Sequence, residues 1–351
     1  MKVNELNKGI IIPNNFNRDD IVWINVKDAP FAISGIYYDD EFKQYVRMPH
    51  SVSSTVSDGV KYLSKESSGG RVRFKTTSKF LGFHAKLSGG SFASFDMFCK
   101  IPGSQYFDKY TFCNTFAALS SVKDSITEGF MTDGCLEDFC INFPSKNVYD
   151  VFIALDKDSE IFEPTPYRVQ KPIVFYGSSI TQGAGASKPG NTYEAIISKH
   201  LDAEYINLGF GGNAMGEQEM AKYIAKLDMS AFVLDYDHNS PDAQHLWNTH
   251  LDFYRTVRNA HPELPIIILT APNTMPWYDW YQSRRDAIYN TYKTAIDEGD
   301  KNVYFIDGST LFGDVDRDLC TVDTCHPTDL GYWRMALKIE ETLAPILADV
   351  K

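Results

Sequence analysis

The chain of 351 residues is 43% hydrophobic and 14% aromatic, which is enough apolar material for two ordinary domain cores. Its formal net charge of -12 repels nucleic-acid phosphates and anionic membrane surfaces, so we expect neither as a partner, and a neutral or cationic substrate fits better. Apolar runs fall short of the roughly 20 residues that span a bilayer, and the polar stretch after Met1 lacks a secretion-signal pattern, so we expect a cytoplasmic location.

The first half of the chain, residues 1–160, has the pattern of an all-β domain. Short runs rich in Val, Phe, Tyr and Ile are separated by clusters of Gly, Ser, Asp and Asn, and helical periodicity is nearly absent. This spacing predicts a jelly-roll-like sandwich. Its candidate strands are residues 31–38, 71–77, 79–87, 94–100, 106–112, 139–143 and 148–155.

The second half has a different pattern, and a short linker separates the two. Pro164 and Pro166 disfavour both helix and central strand, so residues 161–171 are predicted to be the linker. Apolar runs then alternate with amphipathic stretches over residues 172–351, which predicts a doubly wound, flavodoxin-like parallel sheet. Its predicted strands are residues 172–176, 205–210, 231–236, 265–271 and 303–307, and its helices are residues 193–201, 217–227, 243–260, 281–297 and 329–347.

Two adjacent serines, Ser178 and Ser179, follow the first of these five strands. In an open parallel sheet the loops at the carboxyl ends of the strands form the ligand crevice, so both serines are expected there. A serine at this point either caps a helix or acts as a hydrolytic nucleophile, and this stretch alone favours neither. Whether a serine here is a cap or a nucleophile therefore depends on catalytic partner residues elsewhere in the chain.

The other strand ends offer the remaining groups that ester hydrolysis by a hydroxyl requires. Asp323 and His326 follow the last strand, and their spacing lets the carboxylate reach Nδ1 while Nε2 faces a serine. Gly212 follows the second strand and allows a backbone N–H close to a reacting carbonyl, and Asn239 follows the third and offers a side-chain amide. Each alone is explained as well by a turn or a helix cap, but four such loops at one sheet edge favour a hydrolase.

These four blocks resemble those of the SGNH hydrolases, also called the GDSL lipase/acylhydrolase superfamily, over residues 172–351. Residues 177–181 resemble the first block of the family, which implies that Ser179 is the nucleophile and that its backbone N–H is one oxyanion donor. The resemblance implies the further oxyanion donors and the remaining triad members: Gly212 and Asn239, and His326 and Asp323, with Pro327 also in pattern.

Two positions depart from the family pattern. Ser178 replaces the aspartate that usually precedes the nucleophile, and residues 237–239, Asp-His-Asn, replace the usual Gly-x-Asn-Asp. Neither departure removes a catalytic group, but the second leaves open how Asn239 is held.

Residues 177–183 and 186–190 are similar to those of a bacterial subgroup whose members carry an N-terminal β-sandwich. That sandwich has a Gly-x-Asp-Leu-Tyr signature, for which residues 94–98 are a degenerate match around Asp96. Several such enzymes are carbohydrate acetylesterases. The resemblance therefore implies removal of O-acetyl groups from oligosaccharides of plant polysaccharides such as mannan or xylan, with a sandwich that binds carbohydrate or completes the active site.

An aromatic stretch after the fourth strand is the candidate substrate site. Trp277, Tyr278 and Trp280 could stack on sugar rings, although packing of the next helix against the sandwich explains them at least as well. Arg284 and Arg285 could bind an acidic substrate group, but we expect solvated helix charges.

The mechanism calls for no cofactor and no metal. The six cysteines lack both the density of a disulfide scaffold and the spacing of a zinc site, so we expect free thiols.

Two other interpretations compete with the acetylesterase. One keeps the triad in a thioesterase, lysophospholipase or acyltransferase, and the other is a non-catalytic carbohydrate-binding protein. The sequence does not decide between a monomer and a homo-oligomer.

Overall fold

A computed structural model describes residues 1–350 apart from 89–93, 102, 104–108, 118–123 and 273–278. These residues form two compact units. Unit 1 contains Met1–Arg47, Lys65–Pro166 and Lys188–Gly190, and unit 2 contains Met48–Ser64, Tyr167–Ser187 and the described residues from Asn191 onward. The predicted fold class is confirmed, because unit 1 is built of antiparallel sheets and unit 2 of a five-stranded parallel sheet with helices. Within the described ranges, no helix is both long and apolar enough to cross a membrane.

The strands of unit 1 are, in chain order, β1 (Ile21–Asn25), β2 (Ala32–Ser34), β3 (Tyr37–Asp39), β4 (Gln44–Val46), β5 (Arg71–Thr76), β6 (Phe80–Leu87), β7 (Phe95–Lys100), β8 (Thr111–Phe116), β9 (Ser125–Met131), β10 (Glu137–Asn142), β11 (Val148–Asp156) and β12 (Ile161–Phe162). One sheet has the order β1-β11-β6-β9 and the other β12-β5-β10-β7-β8, with β2 also paired to β5. Strands β3 and β4 form a separate two-stranded sheet.

Alternate residues of both main sheets share one hydrophobic core. Leu81, Phe83 and Ala85 of β6 are fully buried in this core, as the period-two geometry of a strand requires. Phe83 stacks on Phe116 of β8 with ring centroids 4.3 Å apart. Such a pair adds about 1 kcal/mol to the burial of the two rings. The aromatic residues that suggested strands in the sequence are therefore those that fill the sandwich.

Several details of unit 1 differ from the prediction. The sequence predicts no strand at β9, because this edge strand is mostly exposed and shows no apolar alternation. The predicted strand at 106–112 falls partly outside the described residues, and β8 begins at Thr111. The segment predicted as a linker is bonded into unit 1, since β12 pairs with β5 and the Thr165 N–H donates to Asp138 Oδ2 at 3.0 Å.

Two short helices from the first half of the sequence belong to unit 2. They are α1 (His50–Val56) and α2 (Asp58–Leu63), and we call residues 48–64 the helical hairpin. Met48 and Val60 are 1% and 0% exposed in a core of unit 2. The sequence predicts no helix at residues 48–64, because the short, serine-rich run at 51–57 has too few apolar residues to show a helical stripe.

The remaining elements of unit 2 match the predicted strands and helices closely. The strands are β13 (Val169–Gly177), β14 (Ala203–Gly209), β15 (Ala231–Asp235), β16 (Ile266–Leu269) and β17 (Val303–Ile306). The helices are α3 (Ser179–Gln182), α4 (Tyr193–Leu201), α5 (Gln218–Ile224), α6 (Ala243–Ala260), α7 (Asp279–Asp297) and α8 (Asp329–Ile346).

The parallel sheet has the order β14-β13-β15-β16-β17, which is the flavodoxin-like arrangement. Helices cover both faces. In β13, Val174 and Tyr176 enter the core that includes α5 and α6, whereas Ile173 and Phe175 enter the core that includes α4 and α8. Loops that follow the carboxyl ends of β13, β14, β15 and β17 therefore meet at one edge, where such sheets bind ligands.

Candidate active site

Ser178 and Ser179 have separate roles at the end of β13. Ser178 is the N-cap of α3, and its buried Oγ accepts the Ile180 N–H at 3.2 Å. Ser179 is the first residue of α3 and is only half-buried. Its Oγ lies 2.8 Å from Nε2 of His326. The helix ends at Gly183, whose φ of 105° is open to glycine and rarely to other residues.

Asp323 and His326 form a tight turn before α8. Asp323 Oδ2 lies 2.7 Å from His326 Nδ1, and Asp323 Oδ1 accepts the His326 N–H at 2.7 Å. The bond from His326 lowers the pKa of Asp323 to about 2. Thr324 between them has a φ of 71°, an unusual conformation for a β-branched residue. Because the carboxylate accepts the Nδ1 hydrogen, Nε2 is left to accept the Ser179 proton.

The loop after α3 is fastened to the turn of His326. A Cβ on Gly185, which has a φ of 92°, would lie 2.4 Å from the carbonyl oxygen of Pro327. Tyr332 of α8 donates its hydroxyl to the carbonyl oxygens of Ile180 and Ala184 at 2.9 and 2.8 Å. These contacts hold the helix of the serine and the turn of the histidine in one arrangement.

Two successive glycines follow β14 beside the serine. A Cβ on Gly211 would lie 3.2 Å from the Cβ of Ser179, and the Gly211 N–H donates to Gln182 Oε1 at 2.7 Å. Gly212 is exposed, with a φ of 70°, and its N–H donates to Asn239 Oδ1 at 3.0 Å. The sequence singled out Gly212 alone. Gly211 is the residue that lets this loop approach Ser179.

Asn239 lies in a short 3-10 helix, Asp237–Asn239, after β15. Its Nδ2 donates to the carbonyl oxygen of Phe210 at 2.8 Å, while its Oδ1 accepts the Gly212 N–H. The two residues predicted as oxyanion donors are thus in direct contact. One Nδ2 hydrogen is engaged with Phe210, which leaves the second for another acceptor.

Arg284 is not the solvated helix charge that the sequence predicts, and that expectation is wrong. Its side chain is 1% exposed, and its Nε lies 2.8 Å from Oδ1 of Asp237, which is 2% exposed. Its Nη2 donates to the carbonyl oxygens of Asp237 and Ser240, the latter at 2.7 Å. Arg285 is half-buried and pairs with Asp307 at 2.5 Å. The two arginines therefore lie on different sides of α7, with different partners.

Buried polar groups lie beneath the serine. Thr181 of α3 and Tyr193 of α4 donate their hydroxyls to Asp235 Oδ2 at 3.3 and 3.2 Å, and all three residues are buried. Burial raises the pKa of Asp235 to about 8. At neutral pH this carboxyl is therefore mainly protonated in the folded protein.

The aromatic candidates are described in part. Trp277 and Tyr278 lie outside the described residues. Trp280, in the first turn of α7, is 42% exposed, and its ring covers the Arg284 guanidinium, with Cζ 4.2 Å from the ring centroid. One face of this indole is therefore occupied by the arginine, and part of the ring remains accessible.

In unit 1, the degenerate signature places Asp96 in β7. Asp96 is fully buried, and its Oδ2 accepts the Gly190 N–H at 2.8 Å. Burial raises the pKa of Asp96 to about 6. The signature carboxyl thus anchors residues 188–190 within unit 1. All six cysteines are free thiols in this structure.

Residues with a supporting role were largely hidden from the sequence. Gln182 and Gly211 adjoin the predicted site residues, but the sequence does not single them out. The two successive glycines at 211–212 are the one local pattern that could have indicated a close approach of the backbone. Arg284 and the helical hairpin lie far along the chain from the residues they contact, and no local pattern marks them. Only the fold reveals these contacts.

Two family models match the chain. The model of the GDSL-like lipase/acylhydrolase family matches residues 170–344. A model of the N-terminus of SGNH-type esterases, named for the GxDLY signature, matches residues 21–101, which include Asp96. A search of curated proteins found no match.

Solved structures share the architecture over nearly the whole chain. A GDSL-like lipase from Bacteroides ovatus is 26% identical, with a TM-score of 0.80 over 93% of this chain and 98% of that one. A salicylyl-acyltransferase from a tetracycline biosynthetic pathway is 17% identical, with a TM-score of 0.75 over 95% and 100%. A family two carbohydrate esterase from Clostridium thermocellum, in complex with cellohexaose, is 15% identical, with a TM-score of 0.66 over 91% and 99%.

Proposed function

Because the chain belongs to the GDSL-like lipase/acylhydrolase family and is a carboxylic ester hydrolase, we propose that it removes O-acetyl and other short acyl groups from carbohydrate. Ser179, His326 and Asp323 are the proposed triad. The observation that carries the proposal is the unbroken hydrogen-bonded path from the Ser179 hydroxyl through the imidazole to the Asp323 carboxylate, with distances of 2.8 and 2.7 Å.

The reaction proceeds through an acyl-enzyme. Ser179 Oγ attacks the acyl carbonyl carbon while its proton passes to His326 Nε2, and Asp323 stabilises the resulting imidazolium. The imidazolium then gives this proton to the departing sugar oxygen, so the ester bond breaks as an alcohol leaves. Water, deprotonated by His326, attacks the acyl-serine, and a carboxylic acid is released as Ser179 regains its proton.

The oxyanion of each tetrahedral intermediate is assigned to the N–H groups of Ser179 and Gly212 and to the Asn239 amide. The hydrogen bond between the Gly212 N–H and Asn239 Oδ1 keeps these two residues next to one another before substrate binds. To bind the oxyanion, the Gly212 N–H must give up its hydrogen bond to Asn239 Oδ1 and donate to the oxyanion instead. Catalytic hydrogen bonds often take their final geometry only in the complex.

The carbohydrate part of the proposal draws on two observations. One is the similarity in fold to a carbohydrate esterase solved with cellohexaose. The other is the accessible indole edge of Trp280, which offers a sugar ring an apolar contact at the start of α7. Acetylated mannan and xylan fragments are the proposed substrates.

Replacement of Ser179 tests the nucleophile. Ser179→Ala should lower kcat for aryl acetates and acetylated oligosaccharides by at least about 10⁴-fold, because among the described residues the Ser179 hydroxyl is the one bonded to His326 Nε2. Ser178→Ala is the matched comparison, since it removes the neighbouring hydroxyl and keeps the triad, and it should lose no more than several-fold in kcat because only the cap of the helix is lost. Mass spectrometry of acetyl loss measures both. Wild-type turnover by Ser179→Ala would rule out the proposed mechanism.

A second candidate, acyl transfer, is favoured by the similarity in fold to an acyltransferase. The same acyl-serine would then pass its acyl group to a hydroxyl acceptor instead of water. Incubation with an aryl acetate and an unacetylated xylo-oligosaccharide separates the two, because transfer adds acetyl mass to the sugar and hydrolysis releases acetate. A series of esters of increasing chain length distinguishes short acyl groups from lipid or thioester substrates.

A further inference from the structure

Arg284 holds the turn that carries Asn239 by three separate bonds. Its Nε binds the Asp237 carboxylate, and its Nη2 binds the carbonyl oxygens of Asp237 and Ser240. Asn239 lies between these two attachment points. The planar guanidinium fork suits such a set of acceptors, whereas a lysine ammonium supplies charge without the fork.

The same turn is held from a second side. The other carboxylate oxygen of Asp237, Oδ2, accepts the Ala271 N–H at 2.8 Å, just after β16. Both charged groups are almost fully buried, and the indole of Trp280 lies over the guanidinium. A buried carboxylate without its counter-charge is unfavourable, so Asp237 and Arg284 depend on one another.

Asn239 reaches the site from this turn. Its side-chain amide contacts only the loop of Phe210 and Gly212 among the described hydrogen bonds, so the backbone of residues 237–240 sets where Nδ2 lies relative to Ser179. Asp237 belongs to one of the two departures from the family pattern, and its partner lies 47 residues further along the chain.

We propose that Arg284 is a positioning residue for the ester hydrolysis: through Asp237 it fixes the Asn239 amide where the oxyanion forms. This inference rests on the proposed function. Arg284 itself touches neither Ser179 nor His326 in the described contacts, so we expect its effect on the rate to pass through the turn that carries Asn239.

The test is a double-mutant cycle in the full-length protein. Arg284→Lys should lower kcat for an aryl acetate by about 10-fold to 10²-fold, which is less than the loss of about 10²-fold to 10³-fold expected when one oxyanion donor is removed, with KM changed less than about two-fold. Asn239→Ala should lower kcat by about 10²-fold to 10³-fold. In the Asn239→Ala background, Arg284→Lys should cause no further loss, because the residue through which it acts is absent.

Arg285→Lys is the matched control, as the adjacent arginine of the same helix pairs with Asp307 and should keep wild-type kcat. Thermal unfolding checks that each variant is folded. Should Arg284→Lys fail to fold, the neutral pair Asp237→Asn with Arg284→Gln takes its place in the cycle.

Three results would overturn the inference. They are a wild-type kcat for Arg284→Lys, an undiminished further loss in the Asn239→Ala background, and failure of both Arg284 variants to fold, which would assign the residue to stability alone. Activity of Ser179→Ala would instead overturn the proposed function. If Ser179→Ala is inactive and Arg284→Lys has a wild-type kcat, the positioning role of Arg284 is overturned and the proposed function stands.

Discussion

Ser178 departs from the family pattern and caps the helix that begins with Ser179. The family usually has an aspartate before the nucleophile, and a serine or an aspartate can each offer an oxygen to an N–H in the first turn of a helix. In this chain the Ser178 hydroxyl accepts the Ile180 N–H from a buried position. The helix that begins with Ser179 is only four residues long, so its N-cap fixes the serine backbone directly.

Removal of this cap should loosen Ser179, the proposed nucleophile. Ser178→Ala should lower the free energy of unfolding by about 1 kcal/mol, the usual cost of a lost N-cap, and should reduce kcat several-fold without abolishing it. Urea denaturation and aryl acetate turnover measure the two effects. Ser178→Asp restores an acceptor and should be more active than Ser178→Ala; the opposite order would contradict the capping role.

At this scale, the sequence predicts well which residues meet when they follow the carboxyl ends of strands in one sheet. Ser179, Asp323 and His326 are such residues, and the fold brings them within hydrogen-bond distance, while their catalytic roles stay a proposal. Prediction fails for Arg284, because its role depends on burial and on a partner that lies far away in the chain. An arginine beside a second arginine on a helix looks like a surface charge until its environment is known.

The sequence missed the helical hairpin, which contacts residues 210–213, the loop that carries the proposed oxyanion donor Gly212 and that we call the oxyanion loop. Gly59, at the start of α2, packs against Asn213, and Asn213 Nδ2 donates to the carbonyl oxygen of Gly211 at 2.7 Å. The five parallel strands were predictable as continuous apolar runs, and the long helices were predictable as amphipathic stretches. A pair of helices of seven and six residues is too short to show one.

A side chain at Gly59 should disturb the oxyanion loop. A Cβ there would lie 1.7 Å from Asn213 Oδ1, so Gly59→Ala should cost about 1–3 kcal/mol of stability, as overpacking does, and should also lower kcat. Asn213→Ala removes the obstacle. The double variant should therefore lose less stability than the sum of the two single variants, as measured by urea denaturation. If the stability losses of the two single variants add up to that of the double variant, a side chain at position 59 does not overlap with Asn213.

For the whole molecule, the buried acid beneath the serine makes stability depend on pH. Burial raises the pKa of Asp235 to about 8, whereas an unfolded aspartate titrates near 4. Between these values the folded state keeps a proton that the unfolded state has lost. The contribution of Asp235 to stability is therefore greatest below about pH 4 and is lost as the pH rises to about 8.

Asp235→Asn should remove this dependence. The free energy of unfolding of the variant relative to wild type should rise between pH 5 and pH 8 by on the order of 3 kcal/mol, because only the wild type loses stability over that range. Urea denaturation at the two pH values measures it. Asp314→Asn, at a side chain that is 99% exposed, is the control for a change of charge alone. Equal differences at both pH values would show that Asp235 is ionised in the folded protein.

The sequence predicts that the chain has two units, but it does not predict every segment that belongs to each unit. Composition changes near residue 161, and the two units do separate between Pro166 and Tyr167. Composition is an average over a stretch, however, so it assigns residues 48–64 and 188–190 to their neighbours in sequence. The fold places each of these segments in the other unit.

The place of the helical hairpin in the chain has a consequence for biosynthesis. Residues 48–64 are translated before every strand of the parallel sheet whose core buries Met48 and Val60. At about 5–20 residues per second, the ribosome needs roughly 5–20 s to proceed from residue 64 to residue 167, where that unit resumes. During this interval the core that buries Met48 and Val60 has not yet been synthesised, so we expect both side chains to be accessible on the nascent chain.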